Sequence, residues 1–264
     1  MRQIGINMGA IGGLSNEDYV RAIAELGFTA TFTGVAPTEE RQAVLAELFA
    51  KHGITYETLH APFGHINDIW LEGEDGERML GELLTSVDRC ALVGAPIAVV
   101  HLSSGLTPPS VTDLGRARFT TLIEYAQKKG VILAFENQRK IFNLAWALET
   151  FGAQDSVAFC WDCGHEACFT PGRQYMPLFG DRLVCTHIHD NMGQFNQDQH
   201  LIPFDGVMDY RRFADHLRAV NYEGSLMLEV IERNSQKYVG LDPYAYLERA
   251  ATAAKRLREL VDGE

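Results

Sequence analysis

Eight short apolar runs, each separated from the next by a longer stretch with helical spacing, leave this chain few ways to fold. The runs are QIGINM (3–8), FTATFTG (28–34), ITYETLHA (54–61), IAVVHL (97–102), VILAFEN (131–137), VAFCWD (157–162), LVCTHIHD (183–190) and SLMLEV (225–230). They are rich in β-branched and aromatic residues and read as buried strands. The stretches between them carry helix signals: in SNEDYVRAIAELG, Ser15 can cap the first turn and Gly27 close the last. In TEERQAVLAELFAKHG, Thr38 and Gly53 take the same places. Eight strand–helix units in 264 residues predict an α/β fold, a (β/α)8 barrel forming a single domain over residues 1–264. A doubly wound open sheet would also alternate strands and helices, but it calls for a GxGxxG turn, and the glycines of MGAIGGLS have the wrong spacing.

The apolar content of 46% fits a globular protein with a full core, and no stretch approaches the length of a membrane span. The opening MRQIGINMGAIGG lacks the order of a signal peptide, so a cytoplasmic location is expected. Five cysteines, Cys90, Cys160, Cys163, Cys168 and Cys185, are an odd number and argue against a disulfide framework. The CWDC stretch at 160–163 has no second CxxC and is not read as a metal or redox motif. A formal charge of −12 disfavours nonspecific nucleic-acid binding, which needs a surplus of Lys and Arg on at least one face.

In a barrel of this kind the site forms at the C-terminal ends of the strands. Six consecutive runs end in His60, His101, Glu136, Asp162, His187 and Glu229, each able to bind a divalent metal. Any one of them alone reads as a hydrogen-bonded structural group. Six in register read differently, because clustered buried carboxylates repel one another unless a cation lies among them. Imidazole with carboxylate suits zinc, manganese, iron or cobalt. In THIHD, His187 and His189 share a face by the period of a strand, and the loop beyond returns Asp198 and His200. His165 follows Asp162 by three residues and can turn back into the same mouth.

The ordered set HAPF, HLSSG, FEN, WDCGH, HIHD, DQH, PFDG and LEV resembles the superfamily of xylose isomerase-like barrels, which includes sugar isomerases and epimerases, inositol catabolic enzymes and endonuclease IV. The resemblance spans nearly the whole chain. By resemblance to the epimerases, Glu136, Asp162, His187 and Glu229 would bind one divalent metal, with Glu136 and Glu229 also acting as catalytic acid and base. By resemblance to endonuclease IV, His60, His101, His165, Asp198 and His200 would complete nine ligands around three zinc ions. One Mn2+ or Zn2+ is therefore expected, with up to three. The loop NMGQFNQDQ lacks the arginine that sugar 3-epimerases carry after the seventh-strand histidine. Barrels of this superfamily often pair, so the resemblance also implies a homodimer or homotetramer.

The surroundings separate sugar from DNA. The loops after the first, second, third, fourth and seventh runs hold no Lys or Arg, leaving Arg139, Lys140, Arg173, Arg233 and Lys237 as the only basic candidates. That is a poor cradle for backbone phosphates. The loops offer aromatic rings instead, among them Phe63, Trp70, Phe142, Phe169, Tyr175, Phe195 and Phe204, beside Asn67, Asn137 and Gln138. Rings and amides suit the apolar face and polar edge of a small carbohydrate, for which Phe63, Asn67, Trp70, Asn137 and His189 are the expected binding residues. The expected chemistry is isomerisation or epimerisation of a sugar by proton abstraction beside a carbonyl, through a metal-stabilised enediolate. The alternatives are an endonuclease IV-like hydrolase acting on abasic DNA and a metal-free sugar-binding barrel.

Overall fold

The computed structural model describes residues 2–263, and each of the eight apolar runs contains a strand. These are β1 (Ile4–Asn7), β2 (Ala30–Gly34), β3 (Thr55–His60), β4 (Ile97–Val100), β5 (Ile132–Glu136), β6 (Val157–Asp162), β7 (Leu183–His187) and β8 (Leu226–Leu228). The helices α1 (Asn16–Glu25), α2 (Glu39–Lys51), α3 (Glu74–Val93), α4 (Asp113–Lys129) and α5 (Ile141–Phe151) follow the first five strands in turn. After β6 come α6 (Cys163–Phe169) and the single turn α7 (Met176–Phe179), then α8 (Tyr210–Ala219) after β7 and α9 (Pro243–Asp262) after β8.

Hydrogen bonding orders the strands β7-β6-β5-β4-β3-β2-β1-β8 in one sheet. Its ends also meet: the Ile188 N–H donates to the Met227 carbonyl at 2.8 Å and the Glu229 N–H to the Ile188 carbonyl at 3.0 Å, making a parallel bridge from Ile188 to Leu228. The fold is a (β/α)8 TIM barrel. The helix signals act where the sequence puts them: Ser15 Oγ accepts the Asp18 N–H at 3.1 Å, and Thr38 Oγ1 accepts the Arg41 N–H at 3.3 Å. Gly27 and Gly53 leave their helices at φ of +93° and +69°, a backbone region that favours glycine. Among the described residues no helix is long and apolar enough to cross a membrane.

The chain divides into two compact units, the first being Met1–Phe32, Leu45–Thr55 and Trp161–Glu264, the second Thr33–Val44 and Tyr56–Cys160. In the first unit Ile4, Ile6, Leu226 and Leu228 are buried with Leu247 and Leu257 of α9. In the second unit Leu59, Val99, Leu133 and Phe135 are buried with Phe119 and Leu122 of α4.

Two residues expected to face a substrate are instead part of this second framework. Trp70 is 1% exposed; its indole N–H donates to the Leu102 carbonyl at 2.8 Å, and its ring packs on Phe119 and Trp146 at 5.2 and 5.3 Å. Asn67 accepts the Ser104 N–H and donates to the Ser104 carbonyl, both at 2.9 Å, so both ends of its amide hold the loop after β3 to the loop after β4. A long aromatic side chain in a loop folds inward when a pocket exists for it, and here Gly115 of α4 makes the room. A Cβ at position 115 would stand 2.1 Å from the Trp70 ring. Overpacking of this kind costs ~1–3 kcal/mol, against a helix-propensity gain of ~1 kcal/mol for Gly→Ala. Gly115→Ala is therefore expected to lower stability in urea unfolding, and an unchanged midpoint would mean that the indole yields without cost.

Candidate metal centre

In the second unit, three side chains gather at the ends of adjacent parallel strands. β4 pairs with both β3 and β5, and this brings His60, His101 and Glu136 together. Glu136 is 1% exposed, and its Oε2 lies 3.1 Å from His60 Nε2 and 2.8 Å from His101 Nε2. The His60 Nδ1–H donates to the Ala61 carbonyl at 2.8 Å, which turns Nε2 toward the carboxylate. The Gln138 amide nitrogen stands 3.1 Å from His101 Nε2. Phe63, half-exposed, stacks on the His101 ring at 4.4 Å and meets His60 edge-on at 5.3 Å. Asn137 follows Glu136 and is fully buried.

In the first unit, Asp162 ends β6 and also caps α6, its Oδ1 accepting the His165 N–H at 2.6 Å. That capping bond turns the chain so that His165 points back toward Asp162, with 3.5 Å between His165 Nδ1 and Asp162 Oδ2. His189 Nε2 lies 3.1 Å from Asp162 Oδ1, and Asp198 Oδ2 lies 3.3 Å from His165 Nε2 and 3.2 Å from His200 Nε2. The His189 and His200 rings stack at 3.9 Å. The donor atoms of His165, His189, Asp198 and His200 all lie within 4.8 Å of one another, as do those of His60, His101 and Glu136. His189, expected among substrate contacts, is fully buried within this first group. His187 stacks on Phe32 at 4.7 Å, and its Nδ1 lies 3.3 Å from Glu229 Oε2.

Two features fit a cation. The His200 Nδ1–H donates to the Glu229 carbonyl at 2.9 Å, again fixing Nε2 toward a carboxylate. Asp198 Oδ1 and His189 Nδ1 are buried polar atoms without a hydrogen-bond partner among the described residues, a costly state that coordination would relieve.

The loop carrying Asp198 and His200 is built around a residue that sequence reading did not assign to the site. Asp190 is fully buried, and its carboxylate accepts N–H bonds from Asn191, Phe204, Gly206 and Met208 at 2.8, 3.0, 3.0 and 3.2 Å. Asp190 and Leu201 exchange backbone bonds at 2.8 Å in both directions, so the segment between them closes as a loop. Within it His200 sits at φ of +48°, unusual for a side chain with a Cβ and sustained by the surrounding bonds. Gly206 is required: a Cβ there would lie 2.2 Å from Asp190 Oδ1. Gly164 is required too, since its Cβ would lie 2.0 Å from the His189 ring.

Burial alone would raise the Asp198 carboxyl, but hydrogen bonds from His165 and His200 hold it well below the usual carboxylate range. Burial alone would lower His200, yet Asp198 and the charge of Glu229 outweigh it and raise the imidazole to about 9. A raised folded-state value stabilises the protein fully below the ordinary histidine range, and this is lost as pH rises through the folded value. Chelator-treated protein is thus expected to lose melting temperature between pH 6.5 and about 9. Asp198→Asn should flatten that slope; a melting temperature that rises over the window would contradict the pairing.

Comparison with known proteins adds a relationship. A family model described as xylose isomerase-like TIM barrel matches residues 20–260. The uncharacterized protein y4fM of Sinorhizobium fredii is 30% identical over 270 residues, covering 94% of this chain and 83% of its own length. The structure of D-psicose 3-epimerase from Clostridium cellulolyticum superposes with a TM-score of 0.82 at 14% identity, covering 99% of both chains. That of 3-keto-D-glucoside 4-epimerase from E. coli gives 0.74 at 17% identity, covering 98% of this chain and 99% of the other.

Proposed function

The chain belongs to the xylose isomerase-like TIM barrel family, and from that premise we propose that it is a divalent-metal-dependent isomerase or epimerase of a sugar or sugar derivative. The observation that carries this reading is the pairing of carboxylates with buried imidazoles whose Nδ1–H is tied to a backbone carbonyl, as for His60 beside Glu136 and His200 beside Asp198. Solved relatives of the same fold include D-psicose 3-epimerase and 3-keto-D-glucoside 4-epimerase, which supports carbohydrate as the substrate class.

Glu136, Asp162, His187 and Glu229 would hold the ion, and His60, His101, His165, His189, Asp198 and His200 would supply ligands for further ions. Nitrogen and oxygen donors suit Mn2+ or Zn2+. When bound, a divalent cation supplies Lewis acidity that stabilises negative charge developing on the substrate oxygens. Glu136 and Glu229 move the proton: one takes it from the carbon beside the carbonyl, and the other returns it. Return to the opposite face inverts that carbon; return to the adjacent carbon isomerises the sugar. Phe63 offers an exposed ring beside His101 for the C–H face of the substrate. The strand-end loops without Lys or Arg favour a carbohydrate lacking phosphate over a DNA backbone. Five free, buried cysteines agree with a reducing, cytoplasmic setting.

Deuterium wash-in tests the reaction class. Metal-loaded protein incubated with a panel of ketoses in heavy water is expected to place deuterium on the carbon next to the carbonyl of at least one of them. No incorporation across the panel, together with nicking of an abasic-site duplex, would replace this reading with phosphodiester hydrolysis.

A further inference from the structure

A cavity of about 260 Å³ opens between α6 and α8, apart from the donor clusters. Its floor holds Glu166, which is 4% exposed. Glu166 Oε2 accepts the Trp161 indole N–H at 3.1 Å and the Tyr175 backbone N–H at 2.9 Å. Its Oε1 forms an ion pair with Arg212, whose Nη2 stands 3.6 Å away, beyond a direct hydrogen bond. Arg173 also lines the cavity, as does His216, whose buried Nε2 has no hydrogen-bond partner among the described residues. Burial and the Arg212 charge push the His216 imidazole down, so it is neutral near pH 7 and can serve a ligand as donor or acceptor. Trp161 and Phe213, stacked at 4.9 Å, form an apolar wall.

The charges limit what can occupy this space. A simple anion would meet the guanidinium groups but also the Glu166 carboxylate, and a simple cation would face the reverse conflict. A hydrocarbon would leave His216 Nε2 without a hydrogen bond and Glu166 Oε1 with only its longer ion pair to Arg212. A molecule with an ammonium and a carboxylate on neighbouring atoms sets each against its opposite, because Glu166 and Arg212 present the two signs 3.6 Å apart. The volume suits a small molecule, being below the range of drug-sized pockets.

We propose that the α6–α8 cavity binds a free α-amino acid, its ammonium on Glu166, its carboxylate on Arg212 and Arg173, and its side chain along Trp161 and Phe213. The site is independent of the metal reading, since none of these five residues belongs to the donor clusters. Titration calorimetry on the full chain with glycine, L-serine, L-leucine and L-phenylalanine tests it, each beside the matched acid lacking the amine and the matched amine lacking the carboxyl. At least one amino acid is expected to bind with a Kd at or below about 1 mM, unchanged after chelator treatment, while its acid and amine do not. Removing one charge-assisted contact, by Arg212→Met at the exposed edge or Glu166→Gln on the floor, should weaken binding about tenfold or more. Binding by none of the four, equal binding of the acid or the amine, or an Arg212→Met variant that binds as tightly as the parent would overturn the proposal.

Discussion

Glu136→Gln is expected to lower turnover by about 10²–10⁴-fold, the range that a positioned general acid or base contributes, with the fold retained. Glutamine preserves the size of the side chain, and its amide can still engage His60 and His101. What disappears is the negative charge and the ability to accept a proton. Glu136 is 1% exposed between two imidazoles, so its charge acts in surroundings that screen it little. Two roles can be separated by adding metal. If Glu136 serves only as a ligand, saturating Mn2+ restores turnover; if it also moves the proton, the deficit persists at saturation. Full activity in the variant without added metal would remove Glu136 from both roles.

Asp190→Ala is expected to destabilise the protein by about 3 kcal/mol or more, since buried groups stranded without partners cost ~1–3 kcal/mol each and four N–H groups lose their acceptor. Water entering the space left by the carboxylate will recover part of that loss, which is why the total falls below the sum. The damage is directional. The loop that Asp190 closes carries Asp198 and His200, so the His200 imidazole should leave its contact with Asp198 even where the rest of the fold survives. Urea unfolding measures the first effect, and the histidine resonances of the folded variant measure the second. A loss under about 1 kcal/mol with an unshifted His200 would show that the loop is held by other means.

These two residues also show what the sequence made legible. Glu136 was visible because a strand buried in a parallel barrel reads as an unbroken apolar run, and a carboxylate at its end stands out. His60, Asp162 and His187 were visible on the same ground, and His165 through the three-residue spacing that the Asp162 cap converts into a turn. Asp190 was not legible as a scaffold, because in HIHD a structural carboxylate and a liganding one look alike. Only the positions of Phe204, Gly206 and Met208, far along the loop, decide between them. Asp205, in the same stretch, likewise serves the framework, accepting the Tyr238 hydroxyl at 2.8 Å and pairing with Arg249 of α9. Trp70 went the other way for a similar reason: the cleft that takes its indole is made by a glycine on another helix. Run lengths were also overstated at β7, where LVCTHIHD continues to 190 but regular pairing stops at His187. Past that point the chain leaves the ladder through the bridge at Ile188.

Anomalous diffraction from crystals of the zinc-loaded protein tests the central claim most directly. The account predicts a peak about 2.0–2.2 Å from donor atoms of Glu136, Asp162, His187 and Glu229. A map with no peak at those residues, their side chains splayed beyond reach of a common ion, would contradict it.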